Sequence, residues 1–360
     1  MKLQNSVSPG DCALEKQIPK LSGFLDSILT QLTRGQDLTR TEAVQLLDAL
    51  LDSEAADSQI AATLVALARK GETVEELVGL AQGMRAHATR ISSSSPRFID
   101  TAGTGAGPAK TFNVSTAAAF VIAGAGLPVA KHGNRAVTSR TGSADVLASL
   151  GVNVGVSPDV SEKCLNDIGI CFMFAPLYHG STARVASVRR ELGIRTVFNL
   201  LGPLTNPAGA PHQIIGVWKP DVIELVANAL ARLGTIRAWV VHGLDGLDEI
   251  SLATRTRVAE AHEGKVKSFE IGPEDFGIRQ FSLEHLKGHD SETSACTIRA
   301  VLEGERRDEA RDLILINAAA ALFVGGGAGD LREAMSLCER SIDSGSAQRK
   351  LEQLVRITNQ

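Results

Sequence analysis

The chain has 360 residues, a formal charge of −4, and 44% hydrophobic and 22% charged residues. This length suggests two domains, and the composition is that of a soluble globular protein with a sizeable core. The acidic balance and an aromatic content of 4% disfavour nucleic acid as a partner, since its binders need basic surface and stacking rings. Five scattered cysteines, without a CxxC pair or an apolar leader, indicate a reduced cytoplasmic protein, and no apolar run makes a convincing membrane span.

The N-terminal quarter of the chain has a helical pattern. Residues 1–20 contain two prolines and a glycine, and we expect a loose tail there. Apolar residues then recur at helical spacing in four successive segments, two of which open with capping-box sequences at residues 39–42 and 73–76. No strand pattern interrupts these segments. We therefore predict a helical domain over residues 21–95.

The pattern changes at Phe98, where short β-branched runs begin to alternate with helical segments. Such alternation predicts an α/β domain with a central, mostly parallel sheet, here over residues 96–360. The last helix is expected at about residues 331–342, followed by a polar tail. The predicted strands comprise residues 127–130, 151–156, 170–174, 214–217 and 238–241.

A glycine-rich segment at residues 100–107 lies between a predicted strand and a helix expected to begin near Ser115. Glycines let the backbone approach a ligand, and the helix offers free N–H groups and a positive dipole end to an anion. Asn113, Ser115 and Thr116 could donate to phosphate or simply cap the helix. The segment is neither a Walker loop nor a good dinucleotide fingerprint, because no GK[ST] follows and Pro108 interrupts the helix opening.

Residues 131–145 follow another predicted strand and concentrate Lys131, Arg135 and Arg140 among small polar residues. Ligands of open α/β sheets bind at the carboxyl ends of the strands. Because loops beside a buried strand seldom hold so many anion donors, we favour a binding loop over a solvated one.

Three acidic residues, Asp245, Asp248 and Glu249, follow the predicted strand at residues 238–241. Mg²⁺ prefers one or two carboxylates together with phosphate oxygens of the substrate. Taken alone, the segment is more simply interpreted as an exposed Asp-Gly turn.

A fourth cluster contains Arg189, Arg190 and Arg195, which could clamp a carboxylate or form an exposed arginine face. The Gly-Pro and Asn-Pro dipeptides in residues 198–207 predict a rigid loop, plausible as a hinge towards the helical domain.

Together the four clusters resemble the anthranilate phosphoribosyltransferase family over roughly residues 25–340. The motifs that carry the resemblance are GTG at 103–105, TFNVST at 111–116, KHGNR at 131–135, GSAD at 142–145, FAP at 174–176, VRRELGIRT at 188–196, FNLLGPLTNP at 198–207 and HGLDGLDE at 242–249.

The resemblance implies transfer of the 5-phosphoribosyl group of 5-phosphoribosyl pyrophosphate (PRPP) to the amino group of anthranilate. The products would be N-(5-phosphoribosyl)anthranilate and pyrophosphate, in tryptophan biosynthesis. It also implies a nucleoside phosphorylase/phosphoribosyltransferase-like fold in which a segment near residues 180–207 returns to the helical domain. It further implies a homodimer that forms through the helical domains. It also implies two Mg²⁺ ions in each active site.

The resemblance assigns roles to matching residues without identifying a certain catalytic acid or base. The metal ligands would be Ser115, Asp248 and Glu249. PRPP would be bound by Gly103, Gly105, Ala106, Gly107, Thr111, Asn113, Val114, Ser115, Thr116, Lys131, His132, Gly133, Asn134, Arg135, Ser139 and Ser143. Anthranilate would meet Gly103, Asn134, His179 and Arg189, with His132 and His179 lining its path.

Two positions depart from the family pattern. The family usually reads GTGGD where this chain reads GTGAG, so Gly107 replaces an acidic residue and one PRPP–Mg²⁺ contact is altered. Gly180 replaces the usual proline, which predicts a less rigid loop beside the acceptor channel. The alternatives are a paralogue with another aromatic acceptor, a relative that binds nucleic acid or a regulatory ligand without turnover, and a pyrimidine-nucleoside phosphorylase.

Overall fold

The structure is a computed structural model that describes residues 21–105, 111–136, 141–286 and 290–360. The predicted tail at residues 1–20 lies outside these ranges. So do three of the predicted PRPP-binding residues, Ala106, Gly107 and Ser139.

Four helices in succession form the N-terminal part of the chain: α1 (Leu21–Thr33), α2 (Arg40–Leu51), α3 (Asp57–Lys70) and α4 (Val74–His87). Both predicted capping boxes are present. The hydroxyl of Thr39 accepts from the backbone N–H of Glu42, whose carboxylate accepts from the N–H of Thr39. Thr73 and Glu76 repeat the arrangement at α4. These reciprocal bonds satisfy N–H groups that a helix start leaves without partners.

The remaining chain is built around a seven-stranded sheet in the order β3-β2-β1-β4-β5-β6-β7. The strands are β1 (Ile99–Gly103), β2 (Val129–Gly133), β3 (Ile170–Phe174), β4 (His212–Gly216), β5 (Arg237–Gly243), β6 (Thr256–His262) and β7 (Lys265–Ile271). Strands β1 to β5 are parallel, and β6 and β7 extend the sheet in antiparallel fashion. The predicted fold class, a small helical part and a larger α/β part with a mostly parallel sheet, is confirmed.

Further helices lie between these strands or after the last of them. They are α5 (Val114–Gly124), α6 (Ser143–Ser149), α7 (Pro158–Ile168), α8 (Ala175–Tyr178), α9 (Ala183–Leu192), α10 (Phe198–Leu204), α11 (Ile223–Arg232), α12 (Ser291–Leu302), α13 (Glu309–Val324), α14 (Leu331–Asp343) and α15 (Ser346–Thr358). The last of them occupies most of the segment predicted as a polar tail.

One predicted strand, at residues 151–156, is wrong, because this segment is a loop between α6 and α7. Gly151 has a φ of +96°, which breaks the extended backbone. The N–H of Asn153 bonds to the Thr358 hydroxyl, and that of Gly155 bonds to the Asn153 side chain. Val152 and Val154 are nevertheless buried, which explains the β-like sequence pattern.

Two hydrophobic cores lie on opposite faces of the sheet. Trp239 and Val241 of β5 belong to the first core, together with α5, α13 and α14. Ala238 and Val240 of the same strand belong to the second core, because neighbouring side chains of a strand point to opposite faces. This second core also contains the apolar faces of α1 to α4 and of α11. The N-terminal helices therefore share a core with one face of the sheet.

Candidate active site

A cavity of about 1040 Å³ opens at the carboxyl ends of the parallel strands. Strand β1 lies between β2 and β4, so the order of the strands reverses at β1. Open α/β sheets bind ligands in the crevice at such a switch point. Most of the predicted site residues line this cavity. They are Gly103, Gly105, Thr111, Asn113, Ser115, Lys131, His132, Gly133, Asn134, Arg135, Ser143, His179, Arg189, Asp248 and Glu249.

Two further predicted PRPP contacts, Val114 and Thr116, lie in the first turn of α5 but do not line the cavity. Their side chains are buried in the protein interior, with at most 1% exposed. Any contact from these two residues to a ligand would therefore come from their backbone.

The start of α5 lies on the cavity wall. Asn113 occupies the N-cap position, but its side chain makes no capping hydrogen bond. The N–H of Ser115 donates instead to Oε1 of Glu249 at 3.2 Å. The simple helix-cap interpretation of Asn113 therefore does not hold, and the helix start faces a carboxylate from a distant loop.

Lys131 is a buried cation at the end of β2, only 4% exposed. Its ammonium donates to the carbonyl of Thr101 and lies 3.4 Å from the Ser115 hydroxyl. Burial lowers the pKa of Lys131 to about 8, against the opposing effect of Asp100 and Glu249. The lysine thus presents a poorly hydrated cation beside the start of α5.

A buried acid, Asp100, was not assigned a role from the sequence. Its carboxylate accepts from Asn206 Nδ2 at 2.7 Å and from the backbone N–H of His132 at 3.2 Å. The Asn206 amide also donates to the carbonyl of Ala130. Burial raises the pKa of Asp100 to about 6, although the charge of Lys131 opposes the shift. Asp100 and Asn206 therefore tie the end of β2 to the loop that follows α10.

The carboxylate loop, residues 244–251, places Asp248 and Glu249 on the cavity wall. Asp245 has a different task, since it accepts from the N–H of Leu247 and from the hydroxyl of Ser251 at 2.7 Å, and so holds the turn. The loop lies directly on the end of β4. A Cβ atom built on Gly216 would stand 1.7 Å from the carbonyl oxygen of Asp248, so only glycine fits there.

The oxygen groups of Ser115, Asp248 and Glu249 fit a magnesium ion that keeps water and substrate phosphate among its ligands. In the described ranges, no group of three or more His, Cys, Asp or Glu side chains could hold a metal by itself. A site of two carboxylates and a hydroxyl on a cavity wall leaves the remaining coordination positions to a ligand.

The imidazole rings of His132 and His179 lie together on another part of the wall, with centroids 5.2 Å apart. Burial lowers their pKa values to about 3 and about 4, despite backbone hydrogen bonds to Gly202 and Thr205. In each ring Nε2 is buried and has no hydrogen-bond partner among the described residues. Two neutral rings therefore line this wall.

Of the three candidate arginines, Arg189 alone lines the cavity. Its guanidinium lies 5.2 Å from the centroid of the Phe198 ring and donates to Asn199 at 3.4 Å, while its Nε has no hydrogen-bond partner among the described residues. Burial lowers its pKa, but an arginine remains a cation at neutral pH. Arg190 is exposed, and Arg195 stacks on Trp218.

Comparison with known proteins agrees with this geometry. Residues 95–348 match the glycosyl transferase family, a/b domain, and residues 26–88 match the helical bundle domain of the same family. An anthranilate phosphoribosyltransferase of Moorella thermoacetica is 49% identical, covering 92% of this chain and 98% of its own length.

Solved structures give the same result. The enzyme of that name from Thermus thermophilus superposes with a TM-score of 0.87 and 37% identity, over 92% of this chain and 99% of its own. The enzyme from Saccharomyces cerevisiae, solved in complex with PRPP and Mg, has a TM-score of 0.85 and 28% identity, over 94% of this chain and 98% of its own. This chain therefore belongs to the anthranilate phosphoribosyltransferase family.

Proposed function

We propose that this chain transfers the 5-phosphoribosyl group of PRPP to the amino group of anthranilate, forming N-(5-phosphoribosyl)anthranilate and pyrophosphate in tryptophan biosynthesis. One observation carries the proposal: a helix start, a buried lysine and two carboxylates meet in the cavity that also contains Arg189. The first three groups suit a diphosphate with its metal, and the arginine suits a carboxylate.

The PRPP site extends over β1, the start of α5 and the loop after β2. Breaking the bond from C1 of the ribose to pyrophosphate builds positive charge on the sugar and negative charge on the leaving group. The N–H groups at the start of α5 and the ammonium of Lys131 stabilise the leaving group as its charge grows. Because Lys131 is already fixed to Thr101, it needs little reorganisation during the reaction.

Two Mg²⁺ ions per site would be held by Ser115, Asp248 and Glu249 together with phosphate oxygens of PRPP. When bound, the ions supply positive charge next to the diphosphate. The contact between Ser115 and Glu249 supports this assignment, because it joins the predicted ligands from two distant parts of the chain.

The acceptor site lies on the side of Arg189. The guanidinium would bind the carboxylate of anthranilate, with Asn134, Gly103 and His179 completing the site. The aromatic amine is neutral at pH 7, so it needs no strong base before attack, and positioning supplies much of the rate enhancement. The neutral rings of His132 and His179 suit an aromatic acceptor without adding a competing charge. Attack opposite the leaving group would invert C1 and give the β-linked product.

We further propose that residues 21–95 form the dimerisation domain of a cytoplasmic homodimer and that residues 96–360 bind PRPP. The segment near residues 180–207 would link the two parts. An ion pair at 2.7 Å between Arg184 of α9 and Asp57 of α3 supports this link. The described cysteines are free thiols, which suits a reducing compartment: Cys164, Cys171, Cys296 and Cys338.

The test is a turnover assay with PRPP, Mg²⁺ and a panel of aromatic amines that includes anthranilate. PRPP- and Mg²⁺-dependent loss of anthranilate fluorescence is expected. No loss over a wide range of Mg²⁺ concentrations would contradict the proposal. Preferred turnover of another amine would identify a paralogue, and phosphate-dependent cleavage of thymidine or uridine would identify a nucleoside phosphorylase. Salt-dependent DNA binding without turnover would favour a non-catalytic relative.

A further inference from the structure

Asn317 is a buried amide in an apolar helix. It lies in α13, where most other side chains are aliphatic and buried, and is itself 7% exposed. It is among the residues that line the cavity. An amide in such surroundings is destabilising unless its polar groups are hydrogen-bonded, so its partners indicate its role.

The partner of Asn317 is the backbone of the carboxylate loop. Its Oδ1 accepts from the N–H of Ile250 at 3.0 Å, and its Nδ2 donates to the carbonyl of Ile250 at 3.0 Å. The other N–H group of Nδ2 donates to the carbonyl of Leu313 at 2.9 Å, which fixes the rotamer of the Asn317 side chain. The amide thus pairs with both polar backbone groups of the residue that directly follows Glu249.

The loop is held from its other side as well. The N–H of Ser251 donates to the Thr256 hydroxyl at 3.0 Å, and the hydroxyl of Ser251 donates to Asp245. Helix α13 in turn packs against α5, whose start carries Ser115, and against β4. Asn317 therefore connects the carboxylates to the same rigid core that supports the hydroxyl ligand.

We propose that Asn317 is a positioning residue for the cation site: it fixes the backbone at Ile250 so that Asp248 and Glu249 present their oxygens to a divalent cation. The inference rests on the proposed function, because the cation is the one bound with PRPP. Metal ligands depend on such supporting hydrogen bonds, whose loss weakens cation binding while leaving the ligands themselves in the chain.

The test compares Asn317→Leu with the wild-type chain. Leucine has a similar size but leaves both backbone groups of Ile250 without this partner. The Mg²⁺ concentration at half-maximal activity should rise about 10-fold or more, with less than about a twofold change in the KM of anthranilate. A second readout needs no turnover: Mn²⁺ binding in the presence of PRPP and without anthranilate, followed by the electron paramagnetic resonance signal of free Mn²⁺, should weaken by a similar factor.

Two further variants separate positioning from stability. Leu322→Ala removes a buried side chain from the same helix, near Gly327, and should lower the melting temperature without changing either cation measurement. Asn317→Ala suits the alanine-rich helix and replaces the leucine variant if that variant does not fold.

Asn317 variants that are destabilised but bind Mn²⁺ as the wild type does would overturn the inference. If the wild-type chain shows no PRPP-dependent turnover, the proposed function fails. The Mn²⁺ measurement still decides the role of Asn317 in that case, since weaker binding by its variants supports the inference and equal binding refutes it.

Discussion

Replacing Gly216 by alanine should displace the carboxylate loop. The new Cβ would stand 1.7 Å from the carbonyl oxygen of Asp248. The oxygen is a backbone atom and the Cβ is bonded directly to the backbone, so neither can rotate away. Because non-bonded heavy atoms need roughly 3.5 Å, the loop and the end of β4 must separate by more than about 1 Å. The carbonyl of Gly216 also accepts from the N–H of Thr104, so the backbone that follows β1 is disturbed as well.

A misplacement of this size in a preorganised site corresponds to about a 100-fold loss of kcat/KM. We expect that loss for PRPP, together with a higher Mg²⁺ requirement and a stability loss of about 2 kcal/mol from overpacking. The assay is steady-state turnover at varied PRPP and Mg²⁺, with thermal unfolding measured on the same samples. Gly23→Ala is the matched control, because a Cβ at Gly23 meets no atom within 4 Å. Wild-type kinetics for Gly216→Ala would refute the steric argument.

Three further predictions follow from the site and the core. Arg189→Ala should raise the KM of anthranilate by far more than that of PRPP, since its side chain lies on the proposed acceptor side; equal effects in steady-state kinetics would contradict this role. Since burial holds the pKa values of His132 and His179 at about 3 and about 4, neither ring should titrate near pH 6.5, and NMR titration of the imidazole signals checks this. Bonds from Lys267, Trp239 and Arg237 overcome the opposing effect of burial and lower the pKa of Glu260 from 4.5 to about 2, so its stabilisation is complete above pH 4.5 and lost as the pH falls towards 2. Urea unfolding of Glu260→Gln should show a loss of about 3 kcal/mol at pH 7, smaller by about 1 kcal/mol at pH 4; a loss that does not change with pH would exclude this linkage.

The sequence indicated which segments come together at the cavity. Lys131, Ser115 and Glu249 lie near the ends of elements whose hydrophobic pattern is clear, and strand ends of a parallel sheet meet at one edge. The capping boxes were also predicted, because each is a motif of four consecutive residues and does not depend on distant contacts.

The supporting residues could not be predicted, because their partners are distant in the chain. Asn317 bonds to a residue 67 positions away, and Asn206 to one 106 positions away. The apolar residues around Asn317 indicate that it is buried, but nothing local shows which group it bonds to. Only the packing of α13 shows that the amide faces the carboxylate loop.

Strands β6 and β7 and helix α15 are among the elements that the sequence did not predict. Strand β7 is largely exposed and rich in charge, so its hydrophobic alternation is weak. Helix α15 lies in the segment predicted as a polar tail, although Leu351 and Leu354 are buried in the first core. Residues 151–156 were predicted to be a strand but form a loop, because two buried valines give this segment the alternating pattern typical of a strand.

The shared second core has a consequence for how this molecule can come apart. Helix α4 packs on α10 and α11, so removal of residues 21–95 would expose apolar side chains of these two helices to water. A truncated fragment would thus aggregate instead of folding independently. Scanning calorimetry of the intact chain should show one endotherm.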